Sequence, residues 1–210
     1  MHSLSLHPHP DGPAPPIDAL AVELTRPKRD RIALRFVATG EGVRHIRLRP
    51  TIGERRARHD GLWRHSCFEL FVRPGDGDAY IEYNLAPSGD WACYRFGRYR
   101  DEMVVPRVPE PVIGHWLHLP RGADRERGVD TDIAGISRDF SAPFFELTAE
   151  IDLHFLAVEQ PGATWHVGLS TVIESRNGTV SHWALAHPPG TPDFHHPDCF
   201  ALELTPARPA

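Results

Sequence analysis

The segment WHVGLSTVIESRNGTVSHWALAH, residues 165–187, carries the strongest structural signal in the chain. Apolar and polar residues alternate on both sides of Asn177-Gly178, a dipeptide typical of two-residue β-hairpin turns. A turn centred on this dipeptide pairs Val172 with Trp183, which sorts the side chains onto two faces. The predicted core face carries Val167, Leu169, Thr171, Ile173, Ala184 and Ala186, with His182 near its end. The predicted mixed face carries His166, Gly168, Ser170, Val172, Glu174, Ser181, Trp183 and Leu185. On that face, Trp183 is either a packed aromatic residue or part of a binding platform.

The same period of two recurs along the rest of the chain. Predicted strands cover 21–25, 31–37, 43–49, 67–73, 79–86, 91–96, 144–151, 165–174, 179–186 and 200–204. Turns rich in Gly, Pro, Asp and Asn separate many of these strands. The pattern predicts an all-β fold, an antiparallel two-sheet β-sandwich of jelly-roll or immunoglobulin-like type, with one short helix possible within 152–158. We expect a single domain over 1–210, with a proline-rich loop at 8–16 and a loop insertion at 120–143.

Composition and charge exclude several classes of function. The 210 residues carry a net charge of −5, which argues against a nucleic-acid partner. The only lysine is Lys28, in a polar turn, which argues against Schiff-base or P-loop chemistry. Three cysteines do not form a disulfide framework. The N-terminus does not resemble a signal peptide, and no apolar run approaches the ~18 residues of a membrane span, so we expect a cytoplasmic protein without a membrane partner.

Three central strands place carboxylates among apolar residues. Alternation puts Phe68, Leu70 and Val72 on one face and Cys67, Glu69, Phe71 and Arg73 on the other. The next strand opposes Ile81, Tyr83 and Leu85 to Tyr80, Glu82 and Asn84, and the third opposes Trp91, Cys93 and Arg95 to Ala92, Tyr94 and Phe96. A glutamate inside a strand lies on a solvated face or is paired with a ligand or an arginine.

The segments at 63–72, 80–91 and 94–96, followed by 172–174, 181–188 and 192–195, resemble the DOMON-like superfamily, and in particular a bacterial subgroup of unassigned function. That superfamily includes the family-9 carbohydrate-binding modules. The resemblance covers roughly 20–204 and implies a β-sandwich that binds sugars or haem. It implies that Trp63 stacks on a sugar, that Glu69 bonds hydroxyl groups, and that Arg95 and Trp183 supply a further polar and a further aromatic contact.

These observations together predict a non-catalytic module without a cofactor, which binds a saccharide or a cell-wall-related metabolite on one sheet face. Trp63 and Trp183 are the expected stacking surfaces, and Glu69 and Arg95 the expected hydroxyl partners. The predicted rim consists of Asn84, Trp91 and Glu174.

Three alternatives stay open. A haem b site would use Met103 with His182 or His115 as axial ligands. A metal site would use residues of the histidine-rich C-terminal stretch, namely His187, Asp193, His195, His196 and Asp198, although their spacing fits no standard zinc signature. A glycoside-processing enzyme would use Glu69 and Glu82 as its carboxylate pair. No hydrolase, metalloprotease or phosphate-loop motif is present.

Overall fold

A computed structural model of the chain describes residues 1–48, 56–120, 129–131 and 137–206. Strands dominate these residues, with one short α-helix, α1 (His154–Glu159), and short 3-10 helices at Glu41–His45, Leu62–Arg64 and Pro197–Cys199. The strands are β1 (His2–Pro8), β2 (Ala19–Lys28), β3 (Arg31–Thr39), β4 (Cys67–Pro74), β5 (Tyr80–Leu85), β6 (Trp91–Phe96), β7 (Val112–His118), β8 (Val129–Thr131), β9 (Ser137–Asp139), β10 (Phe144–Asp152), β11 (Trp165–Glu174), β12 (Val180–Ala184) and β13 (Leu202–Leu204). No helix in the described ranges is long and apolar enough to cross a membrane.

Eleven of these strands form one antiparallel sheet that curls into a half-barrel. The order is β6-β5-β4-β11-β12-β1-β2-β3-β10-β7, with β13 beside β11, while β8 and β9 pair only with each other. The rings of Phe36 on β3 and Phe68 on β4 lie 5.2 Å apart, although four strands separate β3 from β4 in the sheet order. The two halves of the sheet therefore face each other across a shared core. The all-β, antiparallel prediction is confirmed, whereas the sandwich of two separate sheets is not.

Strand β1 joins the two halves of the sheet. Residues 2–6 pair with β2, from His2 opposite Leu24 to Leu6 opposite Leu20. The next two residues pair with β12, where His7 lies opposite Ala184. The sequence did not predict this strand, because histidines and prolines obscure an alternation that rests on only two leucines.

The register of the β11–β12 hairpin differs by one residue from the prediction. Thr171 lies opposite Trp183, because the loop contains three residues, 176–178. The Ser175 N–H donates to the Thr179 carbonyl at 2.8 Å, and Gly178 has a φ of +87°, in the left-handed region that a three-residue hairpin loop requires. A slip of one residue reverses a strand's faces. Trp183 therefore lies on the core face, and His182 and Ala184 lie on the outer face.

The other strand predictions hold with small changes of boundary, apart from one. Of the predicted strand 43–49, residue 49 lies outside the described residues, and 43–48 do not begin as a strand. They start within the 3-10 helix Glu41–His45, and Ile46 then makes a single bridge to Ser175. Gly42 explains the tight turn, since a Cβ there would lie 1.2 Å from the Pro16 carbonyl oxygen. Strand β7 was not predicted. Within 120–143, the structure describes 120, β8, β9 and 140–143, and the rest of that predicted insertion lies outside the described residues.

Two apolar clusters lie on opposite faces of the β4–β5–β6 and β11–β12 part of the sheet. The inner cluster fills the half-barrel and includes Phe68, Leu70, Tyr83, Ile173 and Trp183. The outer cluster consists of Phe71, Tyr80, Ala92, Tyr94, Phe96, Val172, Ala184, Phe194 and Phe200. The outer face is thus partly apolar instead of uniformly solvated, and this makes it a surface on which a ligand could be held.

Candidate functional site

A cavity of about 420 Å³ opens on the outer face of the sheet. This volume lies within the range of small-molecule sites. The lining residues come from the 3-10 helix Leu62–Arg64, from β4, β5, β6, β11 and β12, and from the loops at 97–103 and 192–195. They are Trp63, Glu69, Glu82, Tyr94, Phe96, Arg100, Met103, Val172, His182, Pro192, Phe194 and His195.

The floor of the cavity carries two buried carboxyl groups. The exposed fractions of Glu69 and Glu82 are 2% and 5%. The Ser170 hydroxyl donates to Oε2 of Glu69 at 2.9 Å, and the Asn84 amide donates to Oε1 of Glu82 at 2.5 Å. Antiparallel pairing creates this arrangement, since Glu69 on β4 lies opposite both Asn84 on β5 and Ser170 on β11.

Burial makes these carboxyl groups hard to ionise. Burial, with a smaller contribution from the charge of Glu82, raises the pKa of Glu69 to about 8. Burial also raises the pKa of Glu82 to about 7, although the bond from Asn84 and the charge of Arg100 oppose this. Among the described residues, no lysine or arginine forms an ion pair with either carboxyl group. The pair therefore holds at least one proton near neutral pH.

His195 lies beside this pair and is held by Tyr80. The Tyr80 hydroxyl lies 2.8 Å from Nδ1 of His195 and accepts a hydrogen bond from the Arg100 backbone N–H at 3.2 Å. We assign the hydroxyl as the donor to Nδ1 and the imidazole proton to Nε2, because the neutral ring then presents its N–H toward Glu82. That nitrogen lies 3.7 Å from Oε2 of Glu82. Burial and the charge of Arg100 lower the pKa of His195 to about 4, so the ring is neutral at pH 7.

Arg100 and Asp193 fasten together the two loops that border the cavity. Nη2 of Arg100 lies 2.6 Å from Oδ1 of Asp193, and the Tyr99 hydroxyl donates to the other carboxylate oxygen. Arg100 and Glu102 have φ angles of +53° and +55°, in the left-handed region that residues with a Cβ rarely adopt. Strain of this kind persists where surrounding contacts fix the backbone, as this ion pair does.

Aromatic side chains form the walls. Trp63, in the 3-10 helix Leu62–Arg64, is 43% exposed, and its ring lies edge-to-face with Tyr94 at 5.9 Å. The Tyr94 hydroxyl donates to Asp60 at 2.7 Å, which fixes the ring that supports Trp63. Phe96 and Phe194 complete the apolar lining. The cavity thus combines exposed ring surface with carboxyl groups that can donate and accept hydrogen bonds.

The structure brings together only part of the predicted site. Trp63 and Glu69 line the cavity, and Asn84 lies beneath it as the partner of Glu82. Glu174 does not line the cavity, because it is held by Arg47 and His65, each at 2.8 Å. These two partners lower its pKa against the effect of burial.

Three predicted residues lie on the opposite face of the sheet. Trp91 is 7% exposed and Trp183 is 2% exposed, and both belong to the inner cluster. Arg95 pairs with Glu159 at 2.8 Å, away from the cavity. Alternation along β6 explains two of these cases, because Trp91 and Arg95 share one face while Tyr94 and Phe96 occupy the other. The hairpin register explains Trp183.

Several cavity residues were not predicted as site residues. Tyr94 lies opposite Glu82 in the β5–β6 ladder, so sorting these two strands onto faces in register would have identified Tyr94 and Phe96. No periodic signal marks Arg100, Pro192 or Phe194, which lie on loops.

The candidate haem ligands and the candidate metal ligands lie in different parts of the structure. Met103 and His182 both line the cavity, whereas His115 lies on β7 with its ring near Phe145. Nε2 of His187 lies 2.8 Å from the His7 carbonyl, and Nδ1 of His196 accepts a bond from the Asp198 N–H. In the described part of the chain, no three histidine, cysteine or acidic side chains are grouped to hold a metal ion.

The likeness of this chain to known proteins lies in its fold. No model of a known protein family matches the chain, and no curated protein matches it. Among solved structures, the chain is similar to a candidate carbohydrate-binding protein from Bacteroides uniformis, with a TM-score of 0.58 and 14% identity. The match covers 94% of this chain and 83% of that protein. At this identity the likeness is one of fold, and membership of the DOMON-like superfamily stays a prediction.

Proposed function

We propose that the protein is a non-catalytic module that binds a saccharide, or a cell-wall-related metabolite built on one, in the cavity between Trp63, Glu69 and His195. The observation that carries the proposal is the exposed Trp63 ring beside two buried carboxyl groups. Sugars present flat C–H surfaces that pack on aromatic rings, and hydroxyl groups that need both donors and acceptors. A partly protonated glutamate pair supplies both.

The fold likeness supports the proposal at a coarser level. The similar protein from Bacteroides uniformis is a candidate carbohydrate-binding protein, and the match covers 94% of this chain. Fold alone does not assign function, so the argument depends on the cavity.

The test replaces the stacking surface. Trp63→Ala should lower the affinity for a saccharide found by thermal-shift or calorimetric screening roughly tenfold or more, as expected when an aromatic anchor is removed. Trp116→Ala is the matched control, because Trp116 on β7 is 40% exposed and lies outside the cavity. The control should keep full affinity. Equal affinities of the wild type and Trp63→Ala for a confirmed saccharide ligand would show that the sugar binds elsewhere.

The carboxyl pair favours a second candidate function, a glycoside-processing enzyme. Glu69 and Glu82 share one cavity, and their pKa values are raised to about 8 and about 7. A general acid in a glycosidase needs a carboxyl group that keeps its proton near neutral pH. Release of reducing ends from oligosaccharides by the wild type, lost in both Glu69→Gln and Glu82→Gln, would establish this activity. Binding of a saccharide without turnover would favour the first proposal.

Haem suits this cavity poorly. The floor presents the buried carboxyl groups of Glu69 and Glu82, which an apolar porphyrin face cannot hydrogen-bond. Met103 is 53% exposed and lies at the margin. We therefore derive no electron-transfer function, although Met103 and His182 share the site.

A further inference from the structure

We infer that the saccharide bound in this cavity carries a protonated amine, and that its ammonium group is held at Glu69 and Glu82. The inference rests on the proposed function and narrows it from saccharides in general to amino sugars. Its starting point is the geometry of the floor, where two carboxyl groups are buried and only neutral groups donate to them.

The hydrogen bonds of the floor leave the carboxyl groups without a counter-charge. Among the described residues, Ser170 is the hydrogen-bond donor to Glu69, and Asn84 is the donor to Glu82. The imidazole of His195 also lies beside them, with Nε2 at 3.7 Å from Oε2 of Glu82. A buried carboxylate is costly unless it is paired, so a cationic ligand would supply what the protein does not.

The other cationic and titratable groups around the floor do not supply the missing counter-charge. The Arg100 guanidinium favours ionisation of both glutamates, but it is bound to Asp193 at 2.6 Å. Burial lowers the pKa values of His195 and His182, which keeps both rings neutral near pH 7. The remaining groups are neutral acids whose pKa values are raised by burial, namely Cys67, Tyr80 and Tyr94.

The aromatic walls favour the same ligand. Trp63, Tyr94, Phe96 and Phe194 line the cavity above the two glutamates. Ring faces attract cations, and the attraction increases where water is excluded. An amino sugar would place its C–H surface on Trp63 and its ammonium group toward the floor.

A neutral sugar and an ammonium group require different protonation states of the two glutamates. The neutral sugar would use a protonated glutamate as donor, so its binding would require little change in protonation. An ammonium group requires the carboxylates, and its binding therefore displaces the proton that the pair holds near neutral pH. The two classes of ligand thus differ in a measurable quantity, the number of protons released on binding, which is close to zero for a neutral sugar and about one for an ammonium ligand.

The experiment uses three β1,4-linked disaccharides that differ only in the substituent at C2: diglucosamine with ammonium groups, its N-acetylated form, and cellobiose with hydroxyl groups. Calorimetry at pH 6.5 in buffers of different ionisation enthalpy measures affinity and proton release together. We expect diglucosamine to bind at least about tenfold more tightly than the other two, with release of about one proton per ligand. Between pH 6 and pH 7 its affinity should rise as the glutamates ionise.

Two isoelectronic variants locate the effect. Glu69→Gln should remove most of the preference for diglucosamine and reduce the proton release. Glu159→Gln makes the same substitution at the Arg95 ion pair, outside the cavity, and it should keep the preference. The binding of choline, a cation that is not a sugar, separates the two proposals.

Each outcome bears on one proposal or on both. Cellobiose binding as tightly as diglucosamine, without proton release, would overturn the inference and leave the saccharide proposal intact. Choline binding with proton release, when no disaccharide binds, would retain the cation site and refute the saccharide proposal. If neither the sugars nor choline bind, both proposals fail.

Discussion

Glu69 and Glu82 are buried acids whose ionised forms are poorly compensated in the folded protein. In the unfolded chain they would ionise near pH 4.5. Their raised pKa values therefore represent stability that the fold loses when the pH rises, which is common where residues are retained for binding instead of for packing.

Stability should fall as the pH rises from 6.5 to 8.5. In this window unfolded glutamates are ionised, while the folded protein holds protons on Glu69 up to about pH 8 and on Glu82 up to about pH 7. The unfolded state thus binds fewer protons, so the free energy of unfolding should drop by an amount on the order of 2 kcal/mol. Urea denaturation at both pH values measures the change.

The same measurement on Glu69→Gln provides the control. The histidines with lowered pKa values, including His195, contribute a smaller change of the opposite sign, because an unfolded imidazole is half-protonated at pH 6.5, and they contribute it equally in the wild type and in Glu69→Gln. Glu69→Gln should flatten the pH dependence between 6.5 and 8.5. A variant with the slope of the wild type would show that Glu69 ionises normally.

Trp183 and Trp63 should respond to substitution in opposite ways. Trp183 is 2% exposed, and its Nε1 donates to the Ser181 hydroxyl at 3.1 Å. Trp183→Phe should lower the free energy of unfolding by about 1–3 kcal/mol and leave saccharide affinity unchanged. Trp63→Ala should change affinity with little effect on stability. Denaturant titration and calorimetry on both variants test the contrast, and a loss of affinity in a folded Trp183→Phe would contradict the placement.

Alternation within a strand correctly predicted which face of the sheet each residue of β4 occupies. Phe68, Leu70 and Val72 face the core and Glu69 faces the cavity, as expected for a period of two. The resemblance implied Arg95 as a site residue, and Trp91 was expected at the rim. Both lie on the strand face opposite Tyr94 and Phe96, and it is Tyr94 and Phe96 that line the cavity.

At the scale of elements, one loop residue determines which side of a hairpin faces the cavity. A three-residue loop at 176–178 places Trp183 in the core, whereas a two-residue loop would have turned it outward. The dipeptide Asn177-Gly178 is compatible with both loops, because both need a residue with positive φ. The sequence therefore predicted the hairpin but could not determine its register.

Gly178 should be sensitive to substitution for conformational reasons alone. Its φ is +87°, and a Cβ at this position would meet nothing within 4 Å. Gly178→Ala should cost about 1 kcal/mol of stability through backbone strain. Gly77→Ala is the matched control, since Gly77 also has open space around its Cβ but no positive φ. Similar thermal and urea midpoints for the two variants would contradict this account of the turn.

The loops of the cavity could not be predicted by any local pattern. Arg100 and Asp193 are distant in sequence and meet only because the sheet places β6 and β12, which precede their loops, on the two sides of β5, β4 and β11. Phe194 reaches the cavity in the same way. Contacts of this kind depend on the completed strand order, which periodicity does not contain.

At the scale of the molecule, β1 determines whether the sheet is continuous. It pairs with β2 through Leu6 and with β12 through His7, so two ladders meet at adjacent residues. The side chain of Leu6 is 3% exposed and belongs to the inner core.

Leu6→Ala should lower the free energy of unfolding by about 2–5 kcal/mol, because it leaves a cavity where the two halves of the sheet join. Ser5→Ala on the exposed face of the same strand is the control and should change stability by less than about 0.5 kcal/mol. Chemical denaturation measures both. Equal free energies of unfolding for Leu6→Ala and Ser5→Ala would mean that Leu6 contributes little where the two halves of the sheet meet.

The position of β1 also has a consequence for how the chain acquires its structure. During synthesis β1 precedes every other strand, yet one of its partners, β12, follows almost all of them. The backbone groups of β1 that pair with β12 therefore have no strand partner until the hairpin at 165–184 has formed. Pairing between strands so distant in sequence is slow, and until it occurs the unpaired strand edges are prone to aggregation. One of the late steps in assembling the sheet would thus be the pairing of its earliest strand with β12.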